Sequence, residues 1–252
     1  MKQLLLDKLT VKIMPDRVRM GQVAAVDIIA SIKKLLAEKA EINMIFAAAP
    51  SQNEVLRALV ESDVPWNQVN AFHMDEYIGL NKAAPQGFGN FLTEHIWGKV
   101  PFKSVHLIDC EAVDPEAECA RYEKLLCENP ADIIVLGVGE NGHIAFNDPW
   151  VADFQDARMV KTVLLDEVCR QQQVNDGCFA SLDQVPRRAI TLTCPVFMHA
   201  PQLFCIVPAL SKAPAVKRML KGAISEECPA TVLRRHDRAV LYLDADSASL
   251  LG

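Results

Sequence analysis

Short apolar runs alternate with longer amphipathic stretches along the 252-residue chain. The apolar runs predict strands over seven segments: 42–46, 69–74, 105–108, 131–136, 189–192, 203–207 and 240–243. Apolar residues at helical spacing predict helices over five segments: 22–39, 53–61, 90–97, 115–128 and 210–220. This alternation predicts an α/β fold, an open and mostly parallel sheet flanked by helices in a doubly wound, Rossmann-like arrangement. We expect a single domain covering 1–252, although the length alone would allow two.

Polar and glycine-rich positions follow directly after three of the predicted strands. They occupy residues 47–51, 75–77 and 137–148. In open α/β sheets, ligands bind in the crevice beyond the carboxyl ends of the strands. The sequence therefore predicts an active site at that edge of the sheet.

Composition narrows the class of protein. The net charge is −6 and no basic stripe is interleaved with aromatic residues, which argues against a nucleic-acid surface. No apolar run approaches the roughly 20 residues of a membrane span, and the N-terminus is too briefly apolar for a signal sequence. We expect a cytoplasmic protein that binds neither nucleic acid nor membrane.

The eight cysteines form no C-x-x-C pair, and several lie inside apolar runs, as Cys205 does. In a reducing compartment such thiols are typically small buried side chains. Their scattered spacing does not fit a structural zinc site, so the sequence predicts no metal centre.

The segment 137–149, GVGENGHIAFNDP, is the densest in candidate chemistry. Its glycines permit a tight turn and close backbone approach by a ligand, and such turns can aim amide N–H groups at an anion. His143 follows the glycines directly in the sequence. A histidine whose pKa is near neutrality can move protons to and from a sugar oxygen. From these residues alone, a glycine turn with an incidental surface histidine is an equal alternative.

A second candidate segment places two adjacent carboxylates, Asp75 and Glu76, at the end of an apolar strand. A carboxylate beside another in a partly dry crevice has a raised pKa and becomes a better proton shuttle. The alternative is that Asp75 simply caps a helix or loop.

These two segments resemble the glucosamine-6-phosphate deaminase/isomerase family. Its members carry a Met-Asp-Glu-Tyr element, matched here by 74–77, and an Asn/Asp-Gly-His-Ile-Ala/Gly-Phe-Asn-Glu-Pro element, matched by 141–149. Further matching stretches extend the resemblance over most of the chain from about residue 44: 78–91, 160–162, 185–192 and 211–213.

The resemblance implies an aldose–ketose isomerisation coupled to loss of ammonia from an amino-sugar phosphate. It assigns proton transfer to Asp75 and ring opening to His143, with Asn141 and Asp148 orienting His143 and sharing its relay. It implies neither a metal nor an organic cofactor, and it allows a homo-oligomer. The predicted substrate contacts are Ser51, Glu76, Gly139, Arg170 and Lys212.

Several positions depart from the family pattern. Asp148 stands where the family usually has Glu, a shortening that could disturb its hydrogen bond. In the first loop, Pro50 lacks an N–H that could serve a phosphate. The family's phosphate-binding arginine aligns with Gln173. If this stretch is helical, Arg170 lies one turn earlier on the same face and could supply the missing charge; a solvated surface arginine is an equal alternative. Lys212 aligns with the family's phosphate-contacting lysine, the alternative being an ordinary exposed lysine.

Two competing functions stay open. The related 6-phosphogluconolactonases share a Gly-x-Gly-x-Asp/Asn-Gly-His element, but the segments 74–77 and 144–147 resemble the deaminases more closely. The altered phosphate loop also allows a sugar-phosphate-binding protein with little catalysis.

Overall fold

The computed structural model describes residues 1–252. Eleven strands form two sheets: β1 Lys2–Leu6, β2 Leu9–Ile13, β3 Ile42–Phe46, β4 Val69–His73, β5 Asp75–Tyr77, β6 Ser104–His106, β7 Ile133–Leu136, β8 Val160–Leu164, β9 Arg188–Leu192, β10 Gln202–Val207 and β11 Ala239–Leu243. The main sheet has the order β1-β2-β11-β10-β7-β3-β4-β6, and every neighbouring pair is parallel except the hairpin β1–β2. The predicted mostly parallel sheet is confirmed.

Seven α-helices connect the strands: α1 Arg17–Leu36, α2 Asn53–Val60, α3 Phe88–Leu92, α4 Pro115–Glu128, α5 Glu167–Asn175, α6 Cys194–His199 and α7 Ala213–Lys221. Helices α1 and α2 share one buried cluster with the side chain of Phe46 in β3, whereas α4, α6 and α7 share the other cluster with Leu136 in β7. The main sheet is therefore covered on both faces, as a doubly wound fold requires. None of these helices is both long and apolar enough to span a bilayer.

Local signals explain where two of the helices begin. The Asp16 side chain accepts a hydrogen bond of 2.7 Å from the Arg19 N–H at the start of α1. The Asp114 side chain does the same for α4, whose first residue is Pro115. A carboxylate cap satisfies N–H groups that have no partner within the helix, and proline loses nothing at the first position.

The sequence did not predict a second sheet, in which β5, β9 and β8 pair antiparallel in that order. Only Met74 separates β4 from β5, so the chain leaves the main sheet at the candidate site instead of ending its strand there. Val160, Ile190 and Leu192 of the small sheet lie in the same buried cluster as Leu136 of the main one.

Further elements differ from the prediction. The hairpin β1–β2 and helix α5 were not predicted. The segment predicted as a helix over 90–97 begins at Phe88 and widens into a π-helical turn over Thr93–Trp97. The segment predicted over 210–220 is a 3-10 turn, Leu210–Lys212, followed by α7.

The strand order creates a crevice at the centre of the main sheet. From β3 the chain proceeds to β4 and β6 on one side, and it later returns to build β7, β10 and β11 on the other. The connections leaving β3 and β7 therefore diverge, which is where open α/β sheets bind their ligands.

Candidate active site

A cleft of about 810 Å³, counting its open mouth, lies at this crevice. Its walls come from the loops after β3, β4, β7 and β10 and from α5. The charged and polar side chains that line it are Arg17, Ser51, Asp75, His143, Gln172, Gln173, Asp176, Ser211 and Lys212. Asp75 and His143, predicted from separate segments, thus share one cavity.

Asp75 is the buried carboxylate of the cleft. Asp75 is only 7% exposed, and its side chain makes no hydrogen bond to the protein. Burial raises the pKa of the Asp75 carboxyl well above its usual range, and the negative charge of Glu76 raises it further. A carboxyl group whose pKa is raised in this way holds a proton more readily than an exposed one, so it can both take up and return a proton.

Glu76 does not line the cleft, which corrects its assignment as a substrate contact. Successive side chains of a strand point to opposite faces, so Glu76 turns away from the side that Asp75 faces. Its carboxylate accepts hydrogen bonds from the N–H groups of Tyr77 at 2.9 Å, Phe88 at 3.1 Å and Gly89 at 2.9 Å. Glu76 therefore anchors the start of α3 beside the site.

His143 is held by Asn141 and Asp148. Nδ1 of His143 lies 3.1 Å from Oδ1 of Asp148, off the axis of an ideal hydrogen bond. Asn141 bridges the two: its Nδ2 donates to Oδ1 of Asp148 at 2.8 Å, and its Oδ1 accepts the backbone N–H of His143 at 3.0 Å. The shorter Asp148 side chain thus still reaches the imidazole. Burial alone would raise the pKa of the Asp148 carboxyl, but its interactions with His143, Asn141 and the Asp166 N–H outweigh burial and lower that pKa.

Gly139 leaves room for the imidazole. A Cβ atom at this position would lie 2.1 Å from Cε1 of His143, so the ring rests directly on the glycine backbone. The Gly139 N–H donates to the carbonyl of His143 at 2.9 Å, which closes the turn. This amide therefore serves the turn, and Gly139 contributes to the site by placing His143.

Buried polar side chains fix the rest of the glycine loop. Nδ2 of Asn147 donates to the carbonyls of Ile144 at 2.9 Å and Leu192 at 2.8 Å. The Thr191 hydroxyl accepts the N–H of Phe146 at 3.0 Å, which ties the loop to β9. A loop held at several points is preorganised for chemistry.

Lys212 provides a buried positive charge at the other end of the cleft. The residue is only 6% exposed, and its Nζ has no hydrogen-bond partner in the protein. Burial lowers the pKa of the Lys212 ammonium, and the charges of Asp176 and Glu140 oppose that shift. An unpaired buried cation is costly, and an anion in the cleft would offset that cost.

The turn that carries Lys212 begins at a strained residue. Ala209 has φ +85°, a conformation that L-residues rarely adopt. Its N–H donates to both carboxylate oxygens of Asp244, at 3.2 and 3.1 Å, which stabilises the turn. Strain of this kind concentrates at functional sites.

The loop after β3 contributes Ser51, as predicted, at the cleft wall. Its hydroxyl accepts from Nε2 of Gln52 at 2.9 Å. Arg17, which was not predicted, lines the same wall, but its guanidinium donates twice to Glu54 at 2.9 Å and once to the carbonyl of Pro50 at 3.0 Å. Arg17 therefore braces the loop, and no motif in the sequence marks it.

Arg170 does not reach the cleft, which corrects its predicted phosphate contact. Its guanidinium donates to the carbonyls of Leu182 and Val185, the latter at 2.9 Å, and so braces the 3-10 turn Leu182–Gln184. Gln173 does line the cleft. Residues three apart on a helix differ by about 60° in direction, which is enough to separate the two side chains.

Residues 15–242 match the family model of glucosamine-6-phosphate isomerases/6-phosphogluconolactonase, and the chain belongs to this family of enzymes. It is 38% identical over 212 residues to a glucosamine-6-phosphate deaminase of Listeria monocytogenes serotype 4a, covering 84% of this chain and 88% of the relative. A glucosamine-6-phosphate deaminase of Lactobacillus delbrueckii subsp. bulgaricus is 35% identical over 205 residues, covering 81% and 86%.

Solved structures agree with this assignment. A monomeric glucosamine-6-phosphate deaminase superposes with a TM-score of 0.86 at 28% identity, covering 95% of this chain and 99% of that one. The 6-phosphogluconolactonase of Thermotoga maritima superposes with a TM-score of 0.75 at 20% identity, covering 94% and 100%, a likeness of fold alone.

Proposed function

We propose that this protein is an aldose–ketose isomerase/deaminase that converts glucosamine 6-phosphate, or a close analogue, to fructose 6-phosphate and ammonia. The observation that carries the proposal is the cleft itself, which a buried acid, an imidazole and an unpaired buried ammonium share: Asp75, His143 and Lys212. The relatives named as glucosamine-6-phosphate deaminases support the substrate class.

Each of the three groups has a role in the proposed reaction. Lys212 binds the phosphate as a point charge. His143, oriented by Asn141 and Asp148, transfers the proton that opens the sugar ring. In the open chain, Asp75 removes the proton from C2 to give an enolamine and returns it to C1. Water then adds at C2, and ammonia leaves.

The raised pKa of Asp75 suits an amino sugar in particular. In the empty cleft, burial and Glu76 disfavour the ionised carboxylate. A positively charged substrate amine beside Asp75 favours ionisation, since an opposite charge within a few ångströms lowers the pKa of a carboxyl. Binding the ammonium form of the sugar would therefore generate the base that the reaction needs.

Ammonia release from glucosamine 6-phosphate tests the proposal, with a lactone-hydrolysis assay run in parallel. We expect ammonia, together with solvent deuterium incorporated at C1 or C2, and the loss of both in Asp75→Asn. Lactone turnover without ammonia would instead favour a 6-phosphogluconolactonase, for which His143 and Asp148 could activate water. Binding without exchange would identify a sugar-phosphate-binding protein.

We also infer that the protein acts in the cytoplasm, where a reducing environment suits its eight free cysteines, of which five are buried. A homo-oligomer stays a prediction, which sedimentation velocity would test directly.

A further inference from the structure

A buried glutamine side chain contacts Ser51, which lines the cleft. Gln52 follows Ser51 in the 3-10 turn Pro50–Gln52, and it is 0% exposed. Nε2 of Gln52 donates to Oγ of Ser51 at 2.9 Å and to the carbonyl of Ile206 at 3.3 Å. Because Ile206 belongs to β10, this amide group connects the loop after β3 to the strand that leads into the turn of Lys212.

Gly137 leaves room for this connection. Strand β7 lies between β3 and β10 in the main sheet, and Gly137 is the first residue after β7. A Cβ atom at Gly137 would lie 3.1 Å from Nε2 of Gln52 and 3.3 Å from Oγ of Ser51, both closer than ordinary van der Waals contact. The first glycine of the segment 137–149 therefore allows the glutamine amide to pass over the end of β7.

The two acceptors determine how the amide group of Gln52 is oriented. A backbone carbonyl can only accept, so the amide nitrogen must face Ile206. The same nitrogen then faces Ser51, and because an amide nitrogen only donates, the Ser51 hydroxyl must be the acceptor. The single hydrogen of that hydroxyl is donated to no group of the protein, so it is free for a ligand in the cleft that Ser51 lines.

The oxygen of the same amide makes no favourable contact. Oε1 of Gln52 is buried without a hydrogen-bond partner. An unpartnered buried oxygen is destabilising, and an apolar side chain of similar length would avoid that cost. The interactions that favour glutamine at this position are therefore those of its Nε2 with Ser51 and Ile206.

We propose that Gln52 is a positioning residue that makes the Ser51 hydroxyl a dedicated hydrogen-bond donor to the phosphate of the substrate. Pro50 has no N–H to offer a phosphate, and the Ser51 hydroxyl supplies a donor from the next residue of the same loop. By holding Ser51 in one of three staggered χ1 positions, Gln52 fixes the direction of that donor before the substrate binds. The inference rests on the proposed function for its phosphorylated ligand, but not for the reaction.

A double-mutant cycle tests the coupling between the two residues, with the affinity of the full chain for inorganic phosphate measured by calorimetry. Ser51→Ala should weaken binding at least about tenfold, as expected for one hydrogen bond to a charged group. Gln52→Met should weaken binding about threefold, because Ser51 then samples three χ1 positions instead of one. In the Ser51→Ala background, Gln52→Met should have almost no further effect, since no hydroxyl is left to orient.

Activity assays provide a second readout. Gln52→Met should raise KM for glucosamine 6-phosphate about threefold and leave kcat near that of the wild type, because neither Asp75 nor His143 contacts Gln52. The matched control is Gln22→Met, which changes an exposed glutamine of α1 outside the cleft and should alter neither phosphate affinity nor KM. Gln52→Leu repeats both measurements with another apolar side chain, and circular dichroism verifies the fold of each variant.

The outcomes separate a positioning role from a structural one. Equal losses of phosphate affinity from Gln52→Met in the wild type and in Ser51→Ala would overturn the inference, as would a Ser51→Ala variant that binds phosphate like the wild type. A wild type that does not bind phosphate would overturn it as well. Coupled losses of phosphate affinity in a protein that releases no ammonia would support the inference and refute only the proposed reaction.

Discussion

Replacing Asp75 by Asn should abolish catalysis and stabilise the fold at the same time. The Asp75 carboxylate is buried, without a hydrogen bond, and its pKa is raised by burial and by Glu76. The native state therefore binds the Asp75 proton more tightly than the unfolded chain does. The stability that this proton contributes is lost as the pH rises through the pKa of Asp75 in the folded state. Above that pH, each tenfold difference in proton affinity between the folded and unfolded states corresponds to about 1.4 kcal/mol of destabilisation by the ionised form.

Asn has no charge to bury, so the variant should unfold at a higher temperature above that pH. A gain of about 1 kcal/mol in the free energy of unfolding raises the melting temperature of a chain of this size by roughly 2–4 °C. The kcat should fall by about 10²–10⁴, the usual contribution of a positioned base. Ammonia release and thermal unfolding followed by circular dichroism measure the two effects on the same preparation.

Glu76→Gln provides the matched control, because it changes the neighbouring carboxylate in the same way. Glu76 accepts three backbone N–H groups, and an amide can offer its single oxygen to only some of them. We expect this variant to lose about 1–3 kcal/mol of stability. Near-wild-type turnover in Asp75→Asn would refute the assigned base, and a lowered melting temperature would refute its uncompensated burial.

Three other predictions concern the same cleft. The kcat/KM of the wild type should rise with pH through the elevated pKa of Asp75, because the base must be ionised; a rate that falls over that range would contradict its role. Lys212→Met should raise KM for the phosphorylated sugar by at least about tenfold while raising the melting temperature, since it removes an unpaired buried charge; an unchanged KM would exclude Lys212 from the phosphate site. Gly139→Ala should lower kcat by displacing the His143 ring, which a Cβ would approach to 2.1 Å; Gly177→Ala meets no atom but strains a backbone at φ +77°, so it should lower the melting temperature and leave kcat near that of the wild type.

The shared cavity of Asp75 and His143 could be predicted because each residue closely follows a strand. Parallel strands bring their carboxyl ends to one edge, so the order of segments in the chain already determines which loops meet. The helix start at Pro115 was likewise predicted, and its cap at Asp114 is an interaction between residues close in sequence. The first helix begins at Arg17, five residues before its predicted start at residue 22. What depends on local periodicity and on parallel topology was therefore accessible without coordinates.

The direction of individual side chains was not accessible in this way. Glu76 and Arg170 were predicted to touch substrate, yet neither lines the cleft. Glu76 accepts hydrogen bonds from backbone N–H groups such as that of Phe88, and Arg170 donates to the carbonyl of Val185. The small sheet that turns Glu76 away pairs β5 with β9, a partner distant in sequence. Such pairings follow from tertiary packing, which one sequence does not determine at the level of a single side chain.

Asp148 is one of the positions at which this chain departs from the family pattern, because the family usually has Glu there. We expected its missing methylene to weaken the bond to His143, but the distance is 3.1 Å and the carboxylate is fully buried. Hydrogen bonds from Asn141 and from the Asp166 N–H hold the shorter side chain in place. Asp148 thus stays within reach of His143, and the remaining departures from the family pattern lie in the loop after β3 and in α5. Pro50 and Gln173 line the same cleft as Lys212, and Arg170 does not reach it. We therefore expect the Lys212 ammonium to supply most of the charge that discriminates a phosphorylated sugar from its unphosphorylated form.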